Sequence, residues 1–402
     1  MALQLMLWCA GMMGTVPVHA QWTWQPQFHT DNRLRDLRLL PDGSGMAIGE
    51  GNVLLCTVNG GETWTGTGSA APDLNAASLV GTSVYFGNRE GGIFVLNNPA
   101  TCFSDLVAIA TPALSNLTDL HMVSSTAGYA AANGSLRFSN NAWNSSTAVV
   151  NLNCPFDAQA VWFLNQDLGF AATQSGRITR VSQESGTFLC ETVASGSQPL
   201  HNLHFANEQV GFAVGALGTV LATVDSGRTW QARSIPTTDD LKAVFATGPF
   251  TVHAAGDQLY RSTDGGLVWE IQNKPSAMTQ AESLWFIDAN NGWVAGANGF
   301  LGYTGNAGGS GLVLHAQVPE QQSQPWSFAP NPASQQIQLW TESPEPTSWS
   351  LWDSMGRRVK NGVLIGSTLV ALDELPAGLY WLKAGTLPAK SLVIQTNEGT
   401  TP

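Results

Sequence analysis

The sequence predicts an all-β chain, a seven-bladed β-propeller followed by a small immunoglobulin-like β-sandwich. Three observations lead there. A strand opening on glycine or a small residue recurs at a nearly constant interval, a turn phrase built on Asp or Asn, Gly and Trp recurs with it, and the composition is poor in charge. Charged residues make up 11% of 402 residues, with 42 Gly and 15 Trp, against about 25% charge in an average soluble domain. Such a balance, without a long helical period, belongs to chains of short strands, many turns and buried aromatic wedges.

The repeated strand is clearest at Gly211-Phe-Ala-Val-Gly215 and Gly292-Trp-Val-Ala-Gly296. Looser copies end at Gly49, Gly87, Ala132, Thr173 and Gly256, giving seven units at steps of 38 to 45 residues. An apolar strand precedes each copy, as in Leu200 to Phe205 or Leu241 to Phe245, and a strand opened by Gly-x-apolar follows, as in Gly218 to Leu221. Four strands per unit at this period is the signature of a propeller. Residues 21–318 are assigned to it.

The turn phrase is Asp225-Ser-Gly227-Arg-Thr-Trp230, repeated as Asp264-Gly-Gly266-Leu-Val-Trp269 and Asn59-Gly-Gly61-Glu-Thr-Trp64. Glycine supplies the positive φ of a tight hairpin. An Asx side chain closes the turn onto the backbone two residues on, and the tryptophan wedges between sheets. These residues are read as structural. The phrase fails in the seventh unit, whereas Thr23-Trp24-Gln25 copies Thr229-Trp230-Gln231. The segment Trp22 to Phe28, with Trp24 as closing partner, is therefore expected to complete the last sheet, the alternative being Gly311 to Val318.

Residues 1–20 have an apolar stretch ending in Val18-His19-Ala20 and are read as a signal peptide. Nothing else is long enough to span a membrane. The remaining cysteines, Cys56, Cys102, Cys154 and Cys190, are even in number for an oxidising compartment. Cys154 with Cys190, and by default Cys56 with Cys102, is the favoured pairing; free buried thiols are the other reading. A formal net charge of -12 with thinly spread cations excludes a nucleic-acid partner. No spacing of Cys or His indicates a metal, and no cofactor is expected.

A Pro-flanked polar stretch within residues 319–327 reads as a linker. Beyond it the period stops, and strands are expected at Ile337 to Thr341, Ser348 to Asp353, Val359 to Leu364, Leu369 to Leu372, Gly378 to Ala384 and Ser391 to Gln395.

The turn phrase resembles the Asp-box of bacterial neuraminidase repeats. With the Gly-Phe-Ala-Val-Gly strand, the unit looks most like the photosystem II stability and assembly factor propeller family, over roughly residues 30 to 310. Residues 328–402, with Pro330-Asn331-Pro332, then Leu351-Trp-Asp353-Ser-Met-Gly356-Arg357, then Gly378-Leu-Tyr380, resemble the type A sorting domain of the type IX secretion system of Bacteroidetes. That resemblance implies export through the type IX machinery and a mature protein released or held at the cell surface.

In register, the innermost strands align Asp36, Ala76, Asp119, Ala160, Asn202, Ala243 and Ser283. Two residues on, on the same strand face, come Arg38, Ser78, His121, Trp162, His204, Phe245 and Trp285. Asp36, Arg38, Asp119, His121, Asn202, His204 and Trp285 form the candidate ligand face; inter-blade bonding is the alternative use of the same groups. Arg33, Arg35 and Arg38 read as a solvated strand start, and His201 and His204 as facing opposite ways. Among exposed loops, Thr237 to Asp240 is expected to carry recognition. No catalytic residue is assigned. A sialidase needs a Tyr nucleophile and an Arg cluster, and other glycosidases need a carboxylate pair. The expected function is a secreted or surface binding or scaffold module for an unknown protein or glycan; a carbohydrate-active enzyme with its site at the channel is the alternative.

Overall fold

The computed structural model describes residues 22–24, 32–66, 73–102, 104–109, 114–144, 149–152, 157–308, 312–315, 326–329, 333, 335–341, 346–353, 356–385 and 390–394. Among these, seven antiparallel sheets follow one another along the chain. Their first strands are Leu34–Leu39, Leu74–Val80, Leu117–Met122, Ala158–Asn165, Leu200–Phe205, Ala243–Ala246 and Ala281–Phe286. Each of these touches its counterpart in the next sheet, and the last touches the first. The sheets therefore form a ring with the first strands innermost, which is a β-propeller.

Why the repeat begins and ends in glycine is a matter of close approach. Cross-strand from Gly169, Gly211 and Gly292 lie Phe163, Phe205 and Phe286. A Cβ on these glycines would stand 2.2 to 2.7 Å from the ring atoms, so each ring lies over bare backbone. At the other end, a Cβ on Gly49, Gly215 or Gly296 would fall 2.0 to 2.1 Å from the carbonyl of Arg33, Pro199 or Gln280. There the first strand bulges and its backbone closes on the glycine. In the second sheet the paired residue at this position is Asn88, one beyond the Gly87 that the sequence period marks.

The turn phrase forms a hairpin cage whose bonding differs from the sequence expectation. Thr57 Oγ1 accepts the Gly61 N–H at 2.9 Å, and Asn59 Oδ1 accepts the Thr63 N–H at 3.0 Å, four residues on rather than two. Thr223, Asp225, Gly227 and Thr229 repeat these contacts, as do Ser262, Asp264, Gly266 and Val268. Gly61, Gly227 and Gly266 take φ of 78°, 71° and 87°. The indole N–H of Trp64 and of Trp230 donates back to the Gly61 and Gly227 carbonyls at 3.1 and 3.2 Å. That of Trp269 reaches Arg233 O in the preceding sheet. A weaker copy folds at Ser139, Asn141 and Trp143 in the third sheet.

Ring closure uses the same cage, divided between the two ends of the propeller. In the seventh sheet Thr304 Oγ1 accepts the Gly308 N–H at 2.8 Å and bonds Asn306 as Thr57 bonds Asn59. The strand Thr23–Trp24 pairs with Leu301–Thr304, Thr23 opposite Tyr303 and Trp24 opposite Gly302. In the first sheet Thr65 stands opposite Cys56 and Gly66 opposite Leu55. Superposing the two registers makes Thr23 the counterpart of Thr65, and hence Trp22, not Trp24, the counterpart of Trp64. Trp22 is 1% exposed, meets Phe286 edge-on at 5.9 Å and lies against Gly308. The sequence expectation slipped by two residues because Trp22-Thr23-Trp24 offers the same residue type at both positions. The alternative closing segment has another place: Leu312–His315 adds a fifth strand to the sixth sheet, beside Val268–Ile271.

A disulfide joins Cys56 of the first sheet to Cys102, which follows the turn after the third strand of the second, with Cα atoms 5.5 Å apart. Cys190 is also disulfide-bonded; Cys154 lies outside the described residues. Beyond the propeller, two sheets share one apolar core. Trp326–Ala329, Gln336–Thr341 and Ser367–Ala371 form one; Arg358–Leu364, Thr347–Trp352, Gly378–Ala384 and Lys390–Ile394 form the other. Asp353 accepts both the backbone N–H and the Nε–H of Arg357 around Gly356 (φ 75°). Tyr380 Oη donates to Pro376 O at 2.8 Å, fixing the corner at Gly378. Pro330, Asn331 and Pro332 lie outside the described residues.

If Trp22 is the closing wedge, Trp22→Ala should lower unfolding free energy by about 3–5 kcal/mol, as for a fully buried tryptophan, and match Trp269→Ala. Urea unfolding of the two variants checks this; a Trp22→Ala protein as stable as the parent would exclude the divided cage.

Candidate functional site

The innermost strands surround a cavity of about 250 Å³ on the ring axis, to which all seven sheets contribute. Its lining is largely polar, and every residue of the sequence-derived ligand face reaches it. The structure divides that face into groups used for cohesion and groups that remain open.

Asp36 belongs to the first kind. It is 8% exposed and accepts four hydrogen bonds from three sheets: the Leu37 N–H at 2.9 Å, the Ala77 N–H at 2.9 Å, the Ser283 hydroxyl at 2.8 Å, and Arg38. Arg38 also stands 4.8 Å over the Trp285 ring, whose indole N–H donates to Leu39 O at 2.8 Å. This carboxylate is therefore walled between blades and committed to holding them together.

The second level of the face forms an almost continuous stack. His121 meets Trp162 at 4.6 Å, Trp162 meets His204 at 4.4 Å, His204 meets Phe245 at 4.2 Å, and Phe245 meets Trp285 at 5.3 Å. Ser78 and His204 also accept backbone N–H groups from the following sheet, Met122 at 2.8 Å and Ala246 at 3.2 Å. Burial lowers His121 to about 4 and His204 to about 3, and Arg38 adds to both shifts. Both imidazoles are thus neutral at physiological pH. His253, cross-strand from Phe245 and stacked on Phe286 at 4.2 Å, is lowered by burial to about 3, and its Nε2 has no hydrogen-bond partner among the described residues.

Asp119 differs from Asp36. It accepts the Leu120 N–H and, across the blade boundary, the Val161 N–H, both at 2.8 Å. Burial drives it up to about 7 against the Val161 bond, and the Asp36 carboxylate adds to the rise. Two sheets further on, Asn202 lines the same cavity without a side-chain hydrogen bond among the described residues.

Sequence reasoning missed a collar one position before the aligned ring. The first, second, third, fourth, fifth and seventh sheets bulge there, between Leu34 and Asp36, Leu74 and Ala76, and at each equivalent step. A bulge inserts one residue and breaks the alternation of faces. Arg35, Asn75, Thr118, Gln159, His201 and Glu282 consequently line the channel too, and Lys242, just before the first strand of the sixth sheet, joins them. It is also why His201 and His204, expected on opposite faces, share one cavity. Asn75 Nδ2 donates to Leu117 O at 2.7 Å, and Lys242 Nζ lies 3.3 Å from His201 Nε2 and 3.6 Å from Asp240. Arg89 joins from the second sheet.

The three arginines read as a solvated strand start are each engaged. Arg33 pairs with Glu282 at 2.6 Å, Arg35 with Glu50, and Arg38 with Asp36. The loop Thr237 to Asp240 is tied inward: Tyr260 Oη donates to Asp239 at 2.6 Å, and Asp239 O accepts the Gly218 N–H. No cluster of metal-binding side chains occurs among the described residues.

Two outcomes test this division. Asp36→Ala should cost about 3–5 kcal/mol, as when one partner of a buried charge pair is removed, measured by urea unfolding; a loss below about 1 kcal/mol, the range of an exposed pair, would contradict the cohesive role. His253 has a folded value near 3 against 6.5 for the free side chain. Its neutral form therefore contributes stability that is complete above pH 6.5 and is lost as pH falls toward 3. His253→Phe should accordingly lose less stability than the parent between pH 7 and pH 5; equal losses would refute the assignment.

Neither a protein-family model nor a curated protein matches the sequence. Solved structures do match in fold. YCF48 bound to D1 peptide superposes with a TM-score of 0.58 at 13% identity, covering 73% of this chain and 99% of that one. YCF48 from Cyanidioschyzon merolae gives 0.55 at 15% identity over 71% and 98%. The WD40 β-propeller domain of Doa1 gives 0.57 at 12% over 70% and 96%. At these identities the likeness establishes the β-propeller fold.

Proposed function

We propose that the chain is a seven-bladed propeller that serves as an exported binding module, with its ligand site in the axial channel. The observation that carries this reading is the unequal use of the ring. Asp36, Arg38 and Trp285 are consumed by inter-blade bonds, while Asn202, Gln159 and Arg89, with no side-chain partner among the described residues, present polar groups to the same cavity beside the singly bridged Asp119. A glycosidase needs two carboxyl groups free to act across one bond. Here one of the two aligned carboxylates is saturated, which favours binding over the carbohydrate-active alternative. The peptide-bound state of YCF48, a fold neighbour, supports binding as a use of this architecture.

The rest of the proposal rests on sequence resemblance. Residues 1–20 direct the chain out of the cytoplasm, and the immunoglobulin-like sandwich at the C-terminus is a type IX sorting domain recognised by that machinery, leaving the propeller secreted or at the outer cell surface. Among the described residues no helix is long and apolar enough to cross a membrane.

Purified full-length protein applied to glycan and peptide arrays, followed by hydrolysis assays on any hit, tests the central claim. Binding without turnover is expected, and weakening of that binding by Asn202→Ala should accompany it. Turnover of any glycan would overturn the binding-only reading. Secretion of a reporter fused to residues 326–402 in a type IX-competent host tests the sorting assignment, with retention in the periplasm as the contrary result.

A further inference from the structure

We infer that the channel receives an acidic sugar unit, a ring bearing vicinal hydroxyls and one carboxylate. The inference rests on the channel being a binding site and names what it binds. Charge is the first argument. Within a chain of net charge -12, four cations line this one cavity: Arg35, Arg38, Arg89 and Lys242. Arg38 is held by Asp36 and Arg35 by Glu50. The acid of the collar, Glu282, is held by Arg33. That leaves Arg89 without an ion-pair partner among the described residues, and Lys242 with His201 Nε2 at 3.3 Å and the half-exposed Asp240 at 3.6 Å. An arginine fork without an ion-pair partner and a loosely paired ammonium in a polar cavity suit a carboxylate.

The opposite wall supplies different chemistry. Gln159, Asn202 and Asp119 come from three consecutive sheets, and the two amides have no side-chain partner among the described residues. Each amide offers a donor and an acceptor side by side, the pattern that engages adjacent hydroxyls. Below them, the neutral His121 and His204 fill the stack with Trp162 and add no charge.

Size and polarity select among carboxylate ligands. A cavity near 250 Å³ lies at or below the small end of ligand pockets, so it holds one unit and not an extended segment. Its lining is mainly polar, whereas a peptide side chain anchors in an apolar socket. A uronate, free or at the end of an oligosaccharide, satisfies both walls at once.

The test is calorimetric titration of the full-length protein with glucuronate and galacturonate as monomers and short oligomers. Glucose and galactose, and a short acidic peptide with a free or amidated C-terminus, are run in parallel. Uronates should bind at least about tenfold more tightly than the neutral sugars. Arg89→Gln and Asn202→Ala should each weaken uronate binding by about tenfold or more, with melting temperatures unchanged. Equal affinity for neutral and acidic sugars would overturn the carboxylate assignment. Binding of the free-carboxylate peptide but of no sugar would overturn the sugar class and leave the channel reading intact. If no ligand of the set binds, the inference fails; if in addition array hits are indifferent to both variants, the channel reading fails with it.

Discussion

Every sheet of this propeller buries both of its faces against neighbours, so the constraint on which the rest depends is that the ring must close. An open ring would leave two apolar faces in water, each made of residues such as Phe212, Val252 or Leu301 that are buried here. The chain closes it with one box cut in two. The C-terminal side of the propeller supplies the turn, Thr304 to Gly308, and the N-terminal side supplies the indole of Trp22 and the strand beside it. Because loop-closure entropy grows only with the logarithm of length, joining the ends of a long ring costs little more than joining neighbours. What the divided cage gains is cooperativity, since the seventh sheet is incomplete until the first residues of the propeller have docked.

Closure also explains the channel. Innermost strands that converge on an axis need room for backbone, and the repeated bulge provides it, in the first, fifth and seventh sheets by letting the first strand fold over Gly49, Gly215 or Gly296. The same bulge turns one extra side chain toward the axis in six of the sheets, and Lys242, just before the first strand of the sixth, lines the cavity at the equivalent place. An apolar side chain there would face an open polar cavity, and all seven positions are polar. The collar is thus a geometric by-product of ring formation, and the identity of each collar residue is what remains free to vary.

The parts of this arrangement that repeat were legible in the sequence. Period, strand order, the box turns and the cross-blade level from Asp36 to Trp285 follow from recurring residue types at recurring spacing. Single events were less visible. Trp22 and Trp24 are indistinguishable by type, and only the pairing of Thr23 with Tyr303 decides between them. The bulge leaves no residue signature of its own, because Arg35 or His201 beside an apolar residue reads as ordinary alternation. Arg89 lies in a turn outside the aligned strands, so no register argument could bring it to the cavity. The fifth strand Leu312–His315 looked like closure for the seventh sheet because its partner in space, Val268–Ile271, belongs to the unit before.

Cohesion alone does not account for the composition of the aligned ring. Ala76, Ala160, Ala243 and Ser283 occupy the position in four sheets and are buried there, so a small residue suffices for packing. Asp36 is explained by the four groups it binds. Asp119 is explained in part, since it carries one inter-blade bond from Val161 at the expense of a carboxyl raised to about 7. Asn202 carries no such bond among the described residues. An amide in place of alanine brings polar atoms that must be hydrated or paired, with no return in blade cohesion. On the proposed reading its return comes from a ligand in the channel, with blades three to five as the recognition wall and blades seven and one as a clasp.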